Sequence, residues 1–496
     1  MESSPRAATG IDGLDDVLCG GLPAGRLYLL QGAPGVGKTT LALQFLLEGV
    51  RRGEPVLYIT LSETEEEIHE VARSHGWSLD GIQVRELSSL ERTLSLDAEN
   101  TLYAPADIEL KETVRVLLGE VEQARPTRVV FDSLSEIRLL AQSPARYRRE
   151  LLALKQFFNG RNCTVLLLDD HASDTADQQV ASLAHGVLKL EQVTIEYGGD
   201  RRRLRVVKLR GAVFRTGYHD FDVQKGGLVV YPRLVASEHR AELHPQRLSS
   251  GVTALDRLLG GGLDRGSATL LVGPAGAGKS TIATQFAHAA AERGDVTAMF
   301  LFDERPATMH ARAKGLGTPL DAHVKSGKIL VNSIDPAELA PDEFVHRVRE
   351  AVEEKLAKIV IVDSINGYFL AMPGDRFLTL QMHELLSYLS ARGVSTIMTM
   401  AQAGIVGAIT SPIDVSYLSD NVILFRYFEA GGQIRKAISV VKRRAGPHER
   451  AIRELRLGPG LEVGEPLSQF TGILTGVPTF SGDVPGPDEA LAAGNA

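Results

Sequence analysis

Short, almost unbroken apolar runs alternate along the chain with longer stretches in which apolar residues return every three or four positions. Leu27–Gln31, Pro55–Thr60, Arg128–Phe131 and Val165–Leu168 are runs too short for a buried helix. Runs of this kind predict strands covered on both faces, as in a parallel sheet. Thr39–Gly49 carries a helical period instead. The same alternation returns in the second half, with runs at Ala268–Val272, Ala298–Phe302, Ile359–Val362 and Val394–Met398. The pattern predicts an α/β fold, with mostly parallel sheets covered by helices on both faces.

The two halves are copies of one unit. Gly10-Ile-Asp-Gly-Leu14-Asp15 returns as Gly251-Val-Thr-Ala-Leu255-Asp256, and Gly20-Gly21-Leu22 returns as Gly261-Gly262-Leu263. Gln44-Phe45 returns as Gln285-Phe286, and Glu63 as Glu304, all at one offset, 251 − 10 = 241. A constant offset over so long a stretch marks a duplicated domain. Later pairs drift, Asp132 with Asp363 by 231 and Lys208 with Lys442 by 234, as loop deletions would cause. The reading is a first domain over 1–236, a polar linker over 237–248 and a second domain over 249–480. The Gly/Pro/Ala-rich end, 481–496, reads as a disordered tail.

Each copy carries a phosphate-binding loop. Gly32-Ala-Pro-Gly35-Val36-Gly37-Lys38-Thr39 and Gly273-Pro-Ala-Gly276-Ala277-Gly278-Lys279-Ser280 both fit G-x-x-x-x-G-K-[ST]. Each follows a strand and opens a helix, whose next residue is Thr40 or Thr281. Glycines let the backbone turn its N–H groups inward, and the helix presents its positive end to the same anion. Lys38 and Lys279 reach toward β- and γ-phosphates, while the Thr39 and Ser280 hydroxyls suit Mg²⁺. The expected ligand is therefore ATP with Mg²⁺. Asp132 and Asp363 end strands, where a carboxylate holds the metal or its water. Glu63 and Glu304 follow the strand after the loop helix, at the sheet edge where ligands bind, and are candidates to deprotonate an attacking water. Asp303 stands beside Glu304; the first copy has Ser62 there.

Composition adds mainly exclusions. Of 496 residues, 44% are hydrophobic and 23% charged, which is ordinary for a globular protein. A net charge of −8 argues against a nucleic-acid partner, although Arg201-Arg202-Arg203 with Arg205 forms a basic strip. The DNA-dependent recombinase or helicase reading of the same core rests on that strip alone. A third reading is a scaffold that ATP cements without being hydrolysed. Cys19 and Cys163 make no disulfide framework and fit a reducing cytoplasm. Met1–Thr9 has no signal-peptide core, and no run of about 18 apolar residues predicts a spanning helix.

With these motifs the chain resembles the KaiC family of circadian-clock ATPases, from about Thr9 to Thr479. The doubled loops, the Gly-Gly-Leu elements, the strand-end acids and the segments Ala451–Glu454 and Phe470–Pro478 carry the resemblance. It implies homohexameric double rings with ATP between subunits, an N-terminal ring that hydrolyses ATP and a C-terminal ring that phosphorylates itself. It implies that Lys208 and Arg210, and Lys442 and Arg444, reach across the subunit interface. It also implies a regulatory protein partner. The family's adjacent Ser-Thr phosphoacceptors correspond to Ser416-Tyr417, so Ser416 is the matching acceptor and the second site is a tyrosine.

Overall fold

In a computed structural model of the chain, the described residues are 5–86, 105–170, 181–194, 198–236, 246–370, 377–402, 416–474 and 478–480. The tail 481–496, residues 237–245 of the expected linker and residues 475–477 of the Phe470–Pro478 segment lie outside them. The chain divides into two compact units, Met1–Arg233 and Leu234–Ala496.

Each unit is built on a nine-stranded sheet among the described residues. In the first, the strand order runs Gly227–Tyr231, His219–Gln224, Arg201–Leu209, Gly186–Val193, Leu27–Gly32, Thr164–Asp170, Arg128–Asp132, Val56–Thr60, Ile82–Glu86. Neighbours from Gly186–Val193 to Ile82–Glu86 are parallel, and the remaining strands add antiparallel hairpins at one side. The second sheet repeats the plan around Ala268–Gly273, flanked by Ser395–Ala401 and Asn421–Ala430.

Alternation along the strands sorts side chains to the two faces, because successive side chains point opposite ways. Tyr28, Leu30, Tyr58 and Val130 pack with the loop helix Lys38–Arg51 on one face. Leu27, Leu29, Leu57, Ile59, Val129 and Phe131 pack on the other with Leu134–Ala141 and Pro144–Phe158. In the second unit Leu271, Ile361 and Phe425 face Lys279–Glu292, while Leu270, Val272 and Val360 face Pro341–Glu353 and Phe377–Ala391. The runs read as unbroken hydrophobicity are therefore two interleaved faces, both buried.

The repeated glycine and aspartate motifs at the start of each copy are structural. Asp15 accepts hydrogen bonds from the backbone N–H of Thr9 at 2.8 Å and from its hydroxyl at 2.9 Å. Asp256 does the same with Ser250, at 2.8 and 2.7 Å. Gly21 and Gly262 both have φ of 106°, and a Cβ on either would meet a backbone carbonyl oxygen at 2.6 Å. These positions let a two-stranded ribbon, Arg6–Ala7 with Leu22–Pro23 and Arg247–Leu248 with Leu263–Asp264, close at the entrance to each domain.

Candidate active site: two phosphate cradles with different neighbours

Both loops leave the carboxyl end of a strand flanked by parallel strands on each side. Gly37 and Gly278 sit at the N-caps of their helices with φ of 111°, a left-handed conformation that glycine adopts without strain. Neither helix has a side chain capping its N-terminus. Their first N–H groups and positive ends therefore face the loop without a protein acceptor, which suits a phosphate. Val36 and Ala277 are fully buried, so these loop positions offer backbone rather than side chain. Thr40 and Thr281 are buried in the first turn behind the cradle.

The lysines fold over their own loops. Lys38 donates to the carbonyls of Gly32 at 2.8 Å and Ala33 at 3.0 Å; Lys279 donates to those of Gly273 at 2.9 Å and Pro274 at 2.7 Å. The two then diverge. Lys38 also makes an ion pair with Asp170 at 2.7 Å. Register aligns Gly32 with Asp170 and Gly273 with Ala401, so the second cradle has an alanine where the first has a carboxylate. Lys279, buried and lacking that neighbour, has its pKa pulled down to about 8 by desolvation.

Asp132 and Asp363 end their strands next to the loops, both 6% exposed. Thr39 donates its hydroxyl to Asp132 at 3.1 Å, and the Ser280 hydroxyl bonds Asp363. Burial raises the pKa of both acids, against the pull of those hydroxyls. A second buried hydroxyl supports each acid, but from opposite sides. Tyr58 donates to Asp132 at 2.5 Å, and Thr399 donates to Asp363. Tyr58 corresponds to Met299 and Thr399 to Leu168, so the hydroxyl has changed strands between the copies. In both copies the Asp–Ser peptide that follows is cis.

The candidate bases also differ. Glu63 precedes a helix, Glu65–His75, capped by the reciprocal Thr64–Glu67 box. Its Oε2 is buried without a hydrogen-bond partner, and burial, then Asp132, raises its pKa. Glu304 is instead gripped by Arg312, at 2.7 Å to Oε2 and 3.1 Å to Oε1. Asp303 accepts a hydrogen bond from Ser364.

The four interface candidates stand away from their own cradles. Lys208 is level with Val187, and Val187 with Leu29, three residues before Gly32. At about 3.3 Å per residue that is roughly 10 Å back along the strand. Lys208 donates to the Ala181 carbonyl and Arg210 to that of Ser182 at 3.0 Å. Lys442, level with Val422 and Leu270, donates to the Ser419 carbonyl at 2.8 Å, while Arg444 pairs with Asp420 at 3.1 Å. Ser416 opens the single turn Ser416–Leu418; its side chain lies outside the described residues. In the basic strip, Arg203 pairs with Glu191 at 3.0 Å and both Arg203 and Arg205 lie over the Tyr218 ring.

Tyr58, Thr399, Asp170 and Arg312 were not singled out from sequence. Each sits on a strand or helix whose face only the register defines. The polar pair Asp169-Asp170 after the apolar run 165–168 was the one available signal.

A central strand that opens into a phosphate loop, with a buried acid ending the next strand but one, defines a RecA-like P-loop ATPase, here in tandem. The family model described as "ATPase: KaiC" matches residues 7–235 and again 248–466. The chain belongs to the KaiC ATPase family. It is similar to the circadian clock protein KaiC3 of a Synechocystis strain, 26% identical with 95% of this chain and 94% of that one covered. It is also similar to the circadian clock oscillator protein KaiC of Synechococcus elongatus, 25% identical (95% and 91%), and of Thermostichus vulcanus, 24% identical (95% and 91%). No described helix is long and apolar enough to cross a membrane.

Proposed function

We propose that this chain is a clock-type ATPase switch in which the first domain is the committed hydrolase and the second retains ATP longer for transfer to its own serine. The observation that carries the division of labour is the contrast between Glu63 and Glu304. Glu63 has an unpartnered, buried carboxylate oxygen and a raised pKa, which suits a base that takes a proton from water. Glu304 is held by a bidentate arginine, which lowers its availability as a base.

In this reading Thr39 and Asp132, and Ser280 and Asp363, hold Mg²⁺, which supplies neutralisation of phosphate charge when bound. Lys38 and Lys279 swing from their loop carbonyls to the phosphates. Asp303 helps position the second site through Ser364. Lys208, Arg210, Lys442 and Arg444 complete the site of a neighbouring copy; their distance from their own cradles supports a homohexamer with nucleotide between subunits. Ser416 is the proposed phosphoacceptor and a regulatory protein the proposed partner.

The test compares ATP turnover without DNA in wild type, Glu63→Gln and Glu304→Gln, with phosphosite mass spectrometry on Ser416→Ala. The reading expects Glu63→Gln to remove most phosphate release, by about 10²-fold or more, and Ser416→Ala to remove the phosphorylated peptide. Equal losses from the two glutamate variants, or turnover untouched by either, would overturn the division of labour; a Ser416 peptide unmodified in wild type would overturn the transfer step.

A further inference from the structure

Apart from the nucleotide sites, the second domain brings together three side chains of a kind that bind transition metals. His288 and Glu292 lie one turn apart on one face of the helix Lys279–Glu292, and His323 comes from the short helix Asp321–Lys325. One ligand atom of each lies within 4.8 Å of the others. His323 Nε2 is 2.8 Å from Glu292 Oε1, and the His288 and His323 rings are 5.3 Å apart, nearly perpendicular. His288 is half-buried and His323 is 16% exposed, so the imidazoles stand under a carboxylate open to water.

We propose that His288, Glu292 and His323 bind one divalent transition-metal ion, of the Zn²⁺ class, that clamps the far end of the second loop helix to the segment Asp321–Lys325. Two imidazoles at one apex each and a carboxylate are a donor set for zinc, cobalt or nickel, and a poor one for magnesium or calcium, which favour oxygen. A paired donor at i and i+4 of a helix completed by a ligand from a second element is a recurrent zinc arrangement. The site is separate from the cradle: His288 is nine residues past Lys279, roughly 14 Å along the helix at about 1.5 Å per residue. The first domain has Leu47 and Arg51 at the corresponding positions of its helix, so one ion per chain follows.

The test uses the full chain, freed of metal with a chelator and kept nucleotide-free in millimolar Mg²⁺. It is titrated with Co²⁺ by absorbance and then competed with Zn²⁺. One equivalent of Co²⁺ with a ligand-field spectrum, displaced by Zn²⁺, is the expected result. The double variant His288→Ala/His323→Ala is expected to lose affinity by about tenfold or more while melting like wild type in chelator. If the double variant fails to fold, Glu292→Gln reads the same site, with a weakened and shifted Co²⁺ spectrum expected. A stoichiometric site unchanged in the variants, or no uptake by wild type, overturns the assignment.

Discussion

At the scale of single residues, the two cradles are a matched experiment. Their loops are superimposable in sequence pattern and in the fold of their lysines, yet Lys38 has a carboxylate neighbour and Lys279 does not. If Lys38 takes the phosphate role proposed for it, Asp170 competes for its ammonium and adds negative charge beside the loop. It is 38% exposed, so solvent screens the pair. Asp170→Asn is expected to tighten nucleotide binding at the first site by about threefold to fivefold, the equivalent of roughly 0.7–1 kcal/mol. A fluorescent-nucleotide titration in a Lys279→Ala background, where only the first cradle reports, measures it. Unchanged or weaker binding would show that Asp170 is not a competitor. The residues proposed to hold the phosphates stand out in the sequence because loop glycines, lysine and hydroxyl are contiguous. Asp170, Tyr58 and Thr399 do not, because they reach the site through strand register, and one position of slip reverses which face a side chain occupies.

At the scale of elements, strand ends and helix caps put the chemistry where it is. The central strand runs were legible almost residue by residue, though the order of the strands in the sheet was not: Leu27–Gln31 extends only to Gly32, and Arg128–Phe131 only to Asp132. Val165–Leu168 extends further, to Asp170, because the strand continues as polar once it passes the hydrophobic layers and reaches the loop. Glu63 sits immediately before the capped helix Glu65–His75, where Thr64 accepts from the Glu67 N–H and the Glu67 carboxylate accepts from the Thr64 N–H at 2.7 Å. Thr64→Ala removes one half of that box. It is expected to cost about 1 kcal/mol of local stability, seen as faster amide exchange over residues 64–70 with the global melting temperature little changed. Exchange that is unaltered there would mean the cap does not hold the segment that carries Glu63.

At the scale of the whole chain, duplication was the most legible property and the differences between copies the least. Shared offsets identify the copies, but no offset reveals pairs such as Glu304 with Arg312, on which the proposed difference between the copies rests. The first unit also contains an acid-sensitive group on the strand His219–Gln224. His219 is fully buried; its Nδ1 accepts from the Arg233 N–H at 2.9 Å and its Nε2 faces the Arg215 carbonyl at 3.3 Å. Burial brings its pKa from 6.5 down to about 4. The unfolded imidazole therefore takes up a proton that the folded one refuses between those values. The contribution of His219 is complete above pH 6.5 and is lost as pH falls toward 4, by roughly 3 kcal/mol at most. His219→Gln, which keeps a donor and an acceptor without titrating, is expected to flatten the acid slope of first-domain stability measured by denaturant melts from pH 7 to 4.5. An unchanged slope would assign the acid sensitivity elsewhere.

The exchange of hydroxyls around the two strand-end acids has a consequence for how such twins diverge. One half cannot be turned into the other by a single replacement. Losing the tyrosine first leaves the buried Asp132 with the Thr39 hydroxyl alone, so the favoured order brings the substitute threonine beforehand or together with the loss. For anyone grafting one half's chemistry onto the other, the unit of exchange is therefore a pair of positions on two different strands, with a doubly supported acid as the passable intermediate.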